Sequence, residues 1–138
     1  MAAFLDTNVL LYFVDDAEPE KQARAEGVVE RETQAGTMIL STQVLQEFYN
    51  NATRKLQEPL GTEAAERSVK RFIEISTVVQ VDVAAILAAI SRARTMSVSF
   101  WDALIVEAAL KGGAEKLLTE DLQDGQTVDG LRIENPFR

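Results

Sequence analysis

The chain has 138 residues, 46% of them hydrophobic and 26% charged, with 14 Lys and Arg against 22 Asp and Glu for a net charge of −8. It contains neither histidine nor cysteine, which excludes imidazole general bases, Ser-His-Asp arrangements, thiol nucleophiles and thiolate or imidazole metal sites. The acidic balance argues against a protein that grips nucleic acid through a broad basic face, yet it suits a local basic patch or a basic partner.

A chain of this length is expected to form one domain over residues 1–138, large enough to bury roughly two-thirds of its unfolded surface without a metal or disulfide staple. No apolar run approaches the roughly 20 residues of a membrane span. The N-terminus lacks a basic stretch followed by a long apolar run, so the expected setting is cytoplasmic, with no membrane partner.

In chain order, AAFL at 2–5 reads as a short strand, and Pro19 to about Gly36 as a helix with Pro in its first turn and Gly at its end. TMIL at 37–40 is a second strand. Ser41 or Thr42 caps a helix through VLQEFYNNATRKL, and Pro59-Leu60-Gly61 breaks the chain before Thr62 caps a helix to about Ile75. TVVQV at 77–81 is a third strand, Asp82 caps a helix across VAAILAAISRA, and Ser99 caps one across WDALIVEAALKG that ends at Gly112-Gly113. KLLT at 116–119 is a fourth strand and LRIE at 131–134 a weaker fifth. Short strands alternating with helices predict an α/β fold, three layers α/β/α around a central parallel sheet of four to five short strands. Ligands of such sheets sit outside the carboxyl ends of the strands.

Four carboxylates stand at such places or beside apolar helix faces. Asp6 interrupts FLDTNVLL directly after the first strand, where Asp, Thr and Asn also serve as caps for the helix NVLLYFV. Glu47 borders the apolar arc of Val44, Leu45, Phe48 and Ala52. Asp102 shares a face with Ile105, Val106 and Ala109; a first-turn acid suits the helix dipole, which explains its position along the helix but not its face. In LLTEDLQDG three acids, Glu120, Asp121 and Asp124, follow the fourth strand. Asp121 is preferred, with Thr119 as its hydroxyl partner, although Glu120 or Asp124 can share the role. Packed together without a cation, such acids would repel and raise one another's pKa values. A hard divalent cation, Mg2+ or Mn2+, removes that repulsion and equips the site for phosphoryl chemistry.

The set LDTNVLL, the glutamate of VLQEFYN, SFWDALIVEAAL, and LLTEDLQDG followed by GLRIENPF resembles the PIN-domain proteins, specifically VapC-type toxin ribonucleases of toxin–antitoxin pairs, along almost the whole chain. The resemblance implies a metal-dependent endoribonuclease with an acidic quartet of Asp6, Glu47, Asp102 and Asp121, supported by Thr7, Asn8 and Thr119. In that scheme Asp6 and Asp102 hold the principal Mg2+ (or Mn2+), with Asp121 and Glu47 completing the site. It further implies a homodimer, an RNA substrate and a cognate antitoxin.

Local cations supply candidate RNA contacts: Arg92 and Arg94 before MSVSFWD, and Arg54 and Lys55 after the Glu47 helix. Trp101 is assigned to core packing, since its helix is almost wholly apolar. Two rival readings are a haloacid-dehalogenase-like phosphatase, whose pattern wants an Asp where this chain has Asn8, and a non-catalytic acidic module for metal or partner binding.

Overall fold

The computed structural model describes residues 1–138 and holds six helices and six strands. Strands β1 (Ala3–Leu5), β2 (Met38–Ser41), β3 (Thr77–Val79), β4 (Lys116–Leu118) and β6 (Leu131–Glu134) run parallel, and β5 (Thr127–Val128) pairs antiparallel with β6. Their order across the sheet is β3-β2-β1-β4-β6-β5. β1 and β2 are buried along their whole length, as parallel strands covered on both faces must be, and this is why they read as unbroken apolar runs.

The sheet has one strand more than the four to five expected. β5 is only two residues long, and its turn to β6 is Asp129-Gly130, both at positive φ. Asp-Gly is the usual sequence of such a two-residue hairpin turn.

The helices are α1 (Thr7–Val14), α2 (Pro19–Ala35), α3 (Thr42–Arg54), α4 (Thr62–Ile75), α5 (Val83–Met96) and α6 (Phe100–Lys111). Side-chain oxygens of Ser41, Asp82 and Ser99 accept from the backbone N–H groups of Val44, Ala85 and Asp102, as expected of caps. Thr62 does not cap α4. Gly61 holds the capping position and α4 begins without a side-chain cap.

The connections from β1 to β2 and from β2 to β3 step the same way across the sheet, while the connection from β3 to β4 crosses back over two strands. Right-handed crossovers therefore place α1 to α4 on one face and α5 with α6 on the other. Phe48 and Phe72 meet edge to face at 5.1 Å in the core under the first face, and Ala85, Ala89, Ala103 and Leu104 fill the space between α5 and α6. No single helix is long and apolar enough to cross a membrane.

Reversal of the stepping direction leaves a crevice beyond the carboxyl ends of β1 and β4, the place where open α/β sheets bind ligands. The far end of α6 is packed tightly. A Cβ added to Gly112 would lie 2.7 Å from Val79 Cγ2 and 3.0 Å from Ile39 Cγ2, both on stiff β-branched side chains. Gly112→Ala is therefore expected to destabilise the protein by about 1–3 kcal/mol through overpacking. Urea unfolding measures this, and an unchanged midpoint would show that the strands yield.

Candidate active site

Pairing of Leu5 with Leu118 sets the ends of β1 and β4 side by side, and the Asp6 N–H donates to the Leu118 carbonyl at 3.0 Å. Asp6 is buried and caps α1. One carboxylate oxygen accepts from the Thr7 N–H at 2.7 Å and the other from the Thr119 hydroxyl at 2.7 Å. The Thr119 oxygen in turn accepts from the Asp121 N–H at 3.1 Å. One hydroxyl thus joins the acids that follow two different strands.

Glu47 reaches this point from α3, where its Oε1 accepts from the Thr7 hydroxyl at 2.8 Å and from Gln43 Nε2 at 3.4 Å. Asp102 enters from the first turn of α6, and its carboxylate has no hydrogen-bond partner within the protein. Asn8 Nδ2 donates to Asp121 Oδ2 at 3.4 Å and to Glu120 Oε1 at 3.5 Å. Thr7 and Asn8 therefore brace acids, and the capping is done by Asp6.

Together Asp6, Thr7, Asn8, Gln43, Glu47, Asn51, Trp101, Asp102, Ile105 and Asp121 line one cleft of about 100 Å³. All four carboxylates singled out in the sequence lie in it. No basic residue does.

Two acids of LLTEDLQDG are engaged elsewhere. Glu120 accepts from the Tyr12 hydroxyl at 2.7 Å and pairs with Lys21 Nζ at 3.3 Å. Asp124 accepts from the Asn135 N–H at 2.8 Å. Only Asp121 of the three lines the cleft.

Two other expectations need correction. Arg92 does not offer a free cation, because its guanidinium binds Glu107 and Asp129, tying α5 to α6 and to the β5–β6 turn. Trp101 is not core: it is 60% exposed and lies at the cleft. Arg54, Lys55 and Arg94 are exposed and make no ion pair. Gln43 and Asn51 were missed, although they stand one turn before and one turn after Glu47 on α3 and so share its face.

Burial first, then the charges of Asp121 and Glu47, push the Asp6 carboxyl up to about 7 against the opposing hydrogen bonds of Thr119 and Thr7. Burial and the charges of Asp102 and Glu120 likewise raise Asp121. No three of the carboxylates converge at coordination distance. The donor chemistry nevertheless fits a hard divalent cation: carboxylate, hydroxyl and amide oxygens in a cleft without a positive side chain, with Asp102 unengaged. Asp6, Asp102, Asp121 and Glu47 are the carboxylates that such a cation would meet in the cleft.

Because folded Asp6 keeps its proton to about pH 7, against an ordinary pKa of 3.8, its contribution to stability is full below 3.8 and is lost as the pH rises through 7. Asp6→Asn is expected to be the more stable protein at about pH 8 in a chelator, by the order of 1–4 kcal/mol, the gap closing toward about pH 4. Urea unfolding across that range measures it. Parallel profiles for the two proteins would refute the assignment.

Among curated proteins none matches this sequence. Among solved structures, VapC20 of Mycobacterium tuberculosis, a Sarcin-Ricin loop cleaving toxin, has 18% identity and a TM-score of 0.64, over 84% of this chain and 87% of that one. VapBC2 from Rickettsia felis, bound to a promoter DNA fragment, has 17% identity and a TM-score of 0.68, over 98% of each chain. DNA-bound VapBC from Salmonella typhimurium has 21% identity and a TM-score of 0.67, over 99% of this chain and 98% of that one. These likenesses establish a shared fold. Since the PIN domain family model matches residues 3–123, the stretch that supplies every acid of the cleft, the chain belongs to the PIN domain family.

Proposed function

We propose that the protein is a metal-dependent endoribonuclease, the toxin of a VapBC-type toxin–antitoxin pair. The observation that carries this reading is the meeting of Asp6, Glu47, Asp102 and Asp121 in one cleft at the sheet's switch point. The similar solved structures, a toxin that cleaves the Sarcin-Ricin loop and two VapBC complexes, support the RNA substrate and the antitoxin partner.

A divalent cation held by these carboxylates, Mg2+ or Mn2+, would supply an activated water and neutralise charge on the phosphoryl group. The chain's own residues do the positioning. Thr119 fixes the Asp6 carboxylate and the backbone of Asp121 together, Thr7 and Gln43 orient Glu47, and Asn8 steadies Asp121. Asp102, free of internal hydrogen bonds, is the acid able to turn toward a ligand at least cost.

Lys55, the residue that ends α3, and Arg54 beside it are exposed cations suited to the substrate backbone, with Arg94 a further one. A protein partner also has a surface to cover. Val83, Ile86, Leu87 and Ile90, spaced along one side of α5, are all exposed, apolar area of the kind an antitoxin or a second copy in a homodimer buries. The phosphatase reading is not retained, since Asn8 is an amide already donating to Glu120 and Asp121.

Cleavage of structured RNA is expected with Mg2+ or Mn2+ and none in a chelator; gel analysis of the products decides, and metal-independent cleavage would refute the mechanism. Asp102→Asn is expected to lower the cleavage rate by at least about 100-fold, with an unchanged or higher thermal midpoint because one like charge leaves the cluster. A fully active variant would remove Asp102 from the site.

A further inference from the structure

An indole on the rim of a carboxylate cleft is an unusual use of a large apolar side chain. Trp101 opens α6 beside Asp102 and is 60% exposed, while the residues that follow it, Ala103, Leu104, Ile105 and Val106, are buried. Its backbone is held from two sides and its ring is touched from one. Phe100 meets the indole edge to face at 5.1 Å, the Ser99 hydroxyl caps the helix, and Gln43 Nε2 donates to the Trp101 carbonyl at 3.4 Å, linking α6 to α3. That same Gln43 is 5% exposed, and its Oε1 has no hydrogen-bond partner. The amide nitrogen faces the two acceptors it meets, Glu47 Oε1 and the Trp101 carbonyl, so this one buried side chain fixes the first turn of α6 against Glu47.

We propose that Trp101 is a base-stacking platform, seating one unpaired nucleobase of the substrate strand beside the acidic cleft. The proposal rests on the ribonuclease reading. A nucleobase fits this surface better than an apolar protein side chain does. Apart from Trp101 only Ile105 is hydrophobic among the residues lining the cleft, so an aliphatic group laid there would strip water from carboxylates without replacing its hydrogen bonds. A base has an apolar face and polar edges. The charge of −8 points the same way: the protein gains little from phosphate neutralisation, so stacking, which needs no positive field, must carry more of the grip.

Trp101 is the sole tryptophan of the chain, so its fluorescence reports on this position alone. A single-stranded 2′-O-methyl RNA is titrated into the protein in chelator, beside a strand of the same length with abasic sites in place of its bases. The base-bearing strand is expected to quench the emission and the abasic strand is not. In cleavage assays with Mg2+, Trp101→Ala is expected to raise KM on the order of tenfold with kcat within about twofold, and Trp101→Phe to recover most of the loss. Equal quenching by both strands, or an unchanged KM for Trp101→Ala in an active enzyme, would overturn the platform alone. Base-dependent quenching by a protein that cleaves no RNA would overturn the ribonuclease reading and leave the platform standing. A blue shift of emission with rising protein concentration, together with an unchanged KM, would assign the ring to a protein interface and overturn the proposal.

Discussion

The hydrogen bond from the Thr119 hydroxyl to the buried Asp6 carboxylate is the contact on which the site depends. It exists because β1 and β4 are neighbours in register although 113 residues separate the two partners. The same hydroxyl accepts from the backbone of Asp121, so the acids after two strands are placed as one unit. Burial there disfavours the charged carboxylate and lifts Asp6 to about 7. The fold therefore holds a group whose ionised form is unfavourable until something positive approaches.

Around that unit the helices are arranged by ordinary local chemistry. The Ser41 and Ser99 caps begin α3 and α6 at the points from which Glu47 and Asp102 reach the cleft. Thr7, whose N–H is satisfied by Asp6, turns its hydroxyl to Glu47. Positive charge is kept outside: Lys21 neutralises Glu120 behind the cleft, and Arg92 holds α5, α6 and the β5–β6 turn together. A cleft with four acids and no base is complementary to a hard cation and equally to a basic side chain of a partner, two occupants that would compete for it.

Much of the fold was legible because its signals are short-range. Apolar runs of three or four residues, capping residues and the Gly and Pro breaks sit close to the elements they bound, and Ser41, Asp82, Ser99 and Gly36 each serve as read. β5 was missed because two residues carry no periodicity. The cap of α4 was misplaced by one residue because Gly61 leaves the position without a side-chain signal.

For the site, the amino-acid sequence alone narrowed which chemistry was possible: without histidine or cysteine, oxygen donors are the metal ligands that remain, and strand ends are where a parallel sheet displays them. Tertiary structure decided which side chains line the cleft. Asp121 is separated from Glu120 and Asp124 by Lys21, Tyr12 and Asn135, partners distant in the chain that no local pattern announces. Arg92 was removed from the candidate RNA contacts by Glu107 and Asp129 for the same reason. Trp101 was misassigned because α6 is apolar nearly all round, and a helix with no polar face does not reveal which residue its neighbours will leave uncovered.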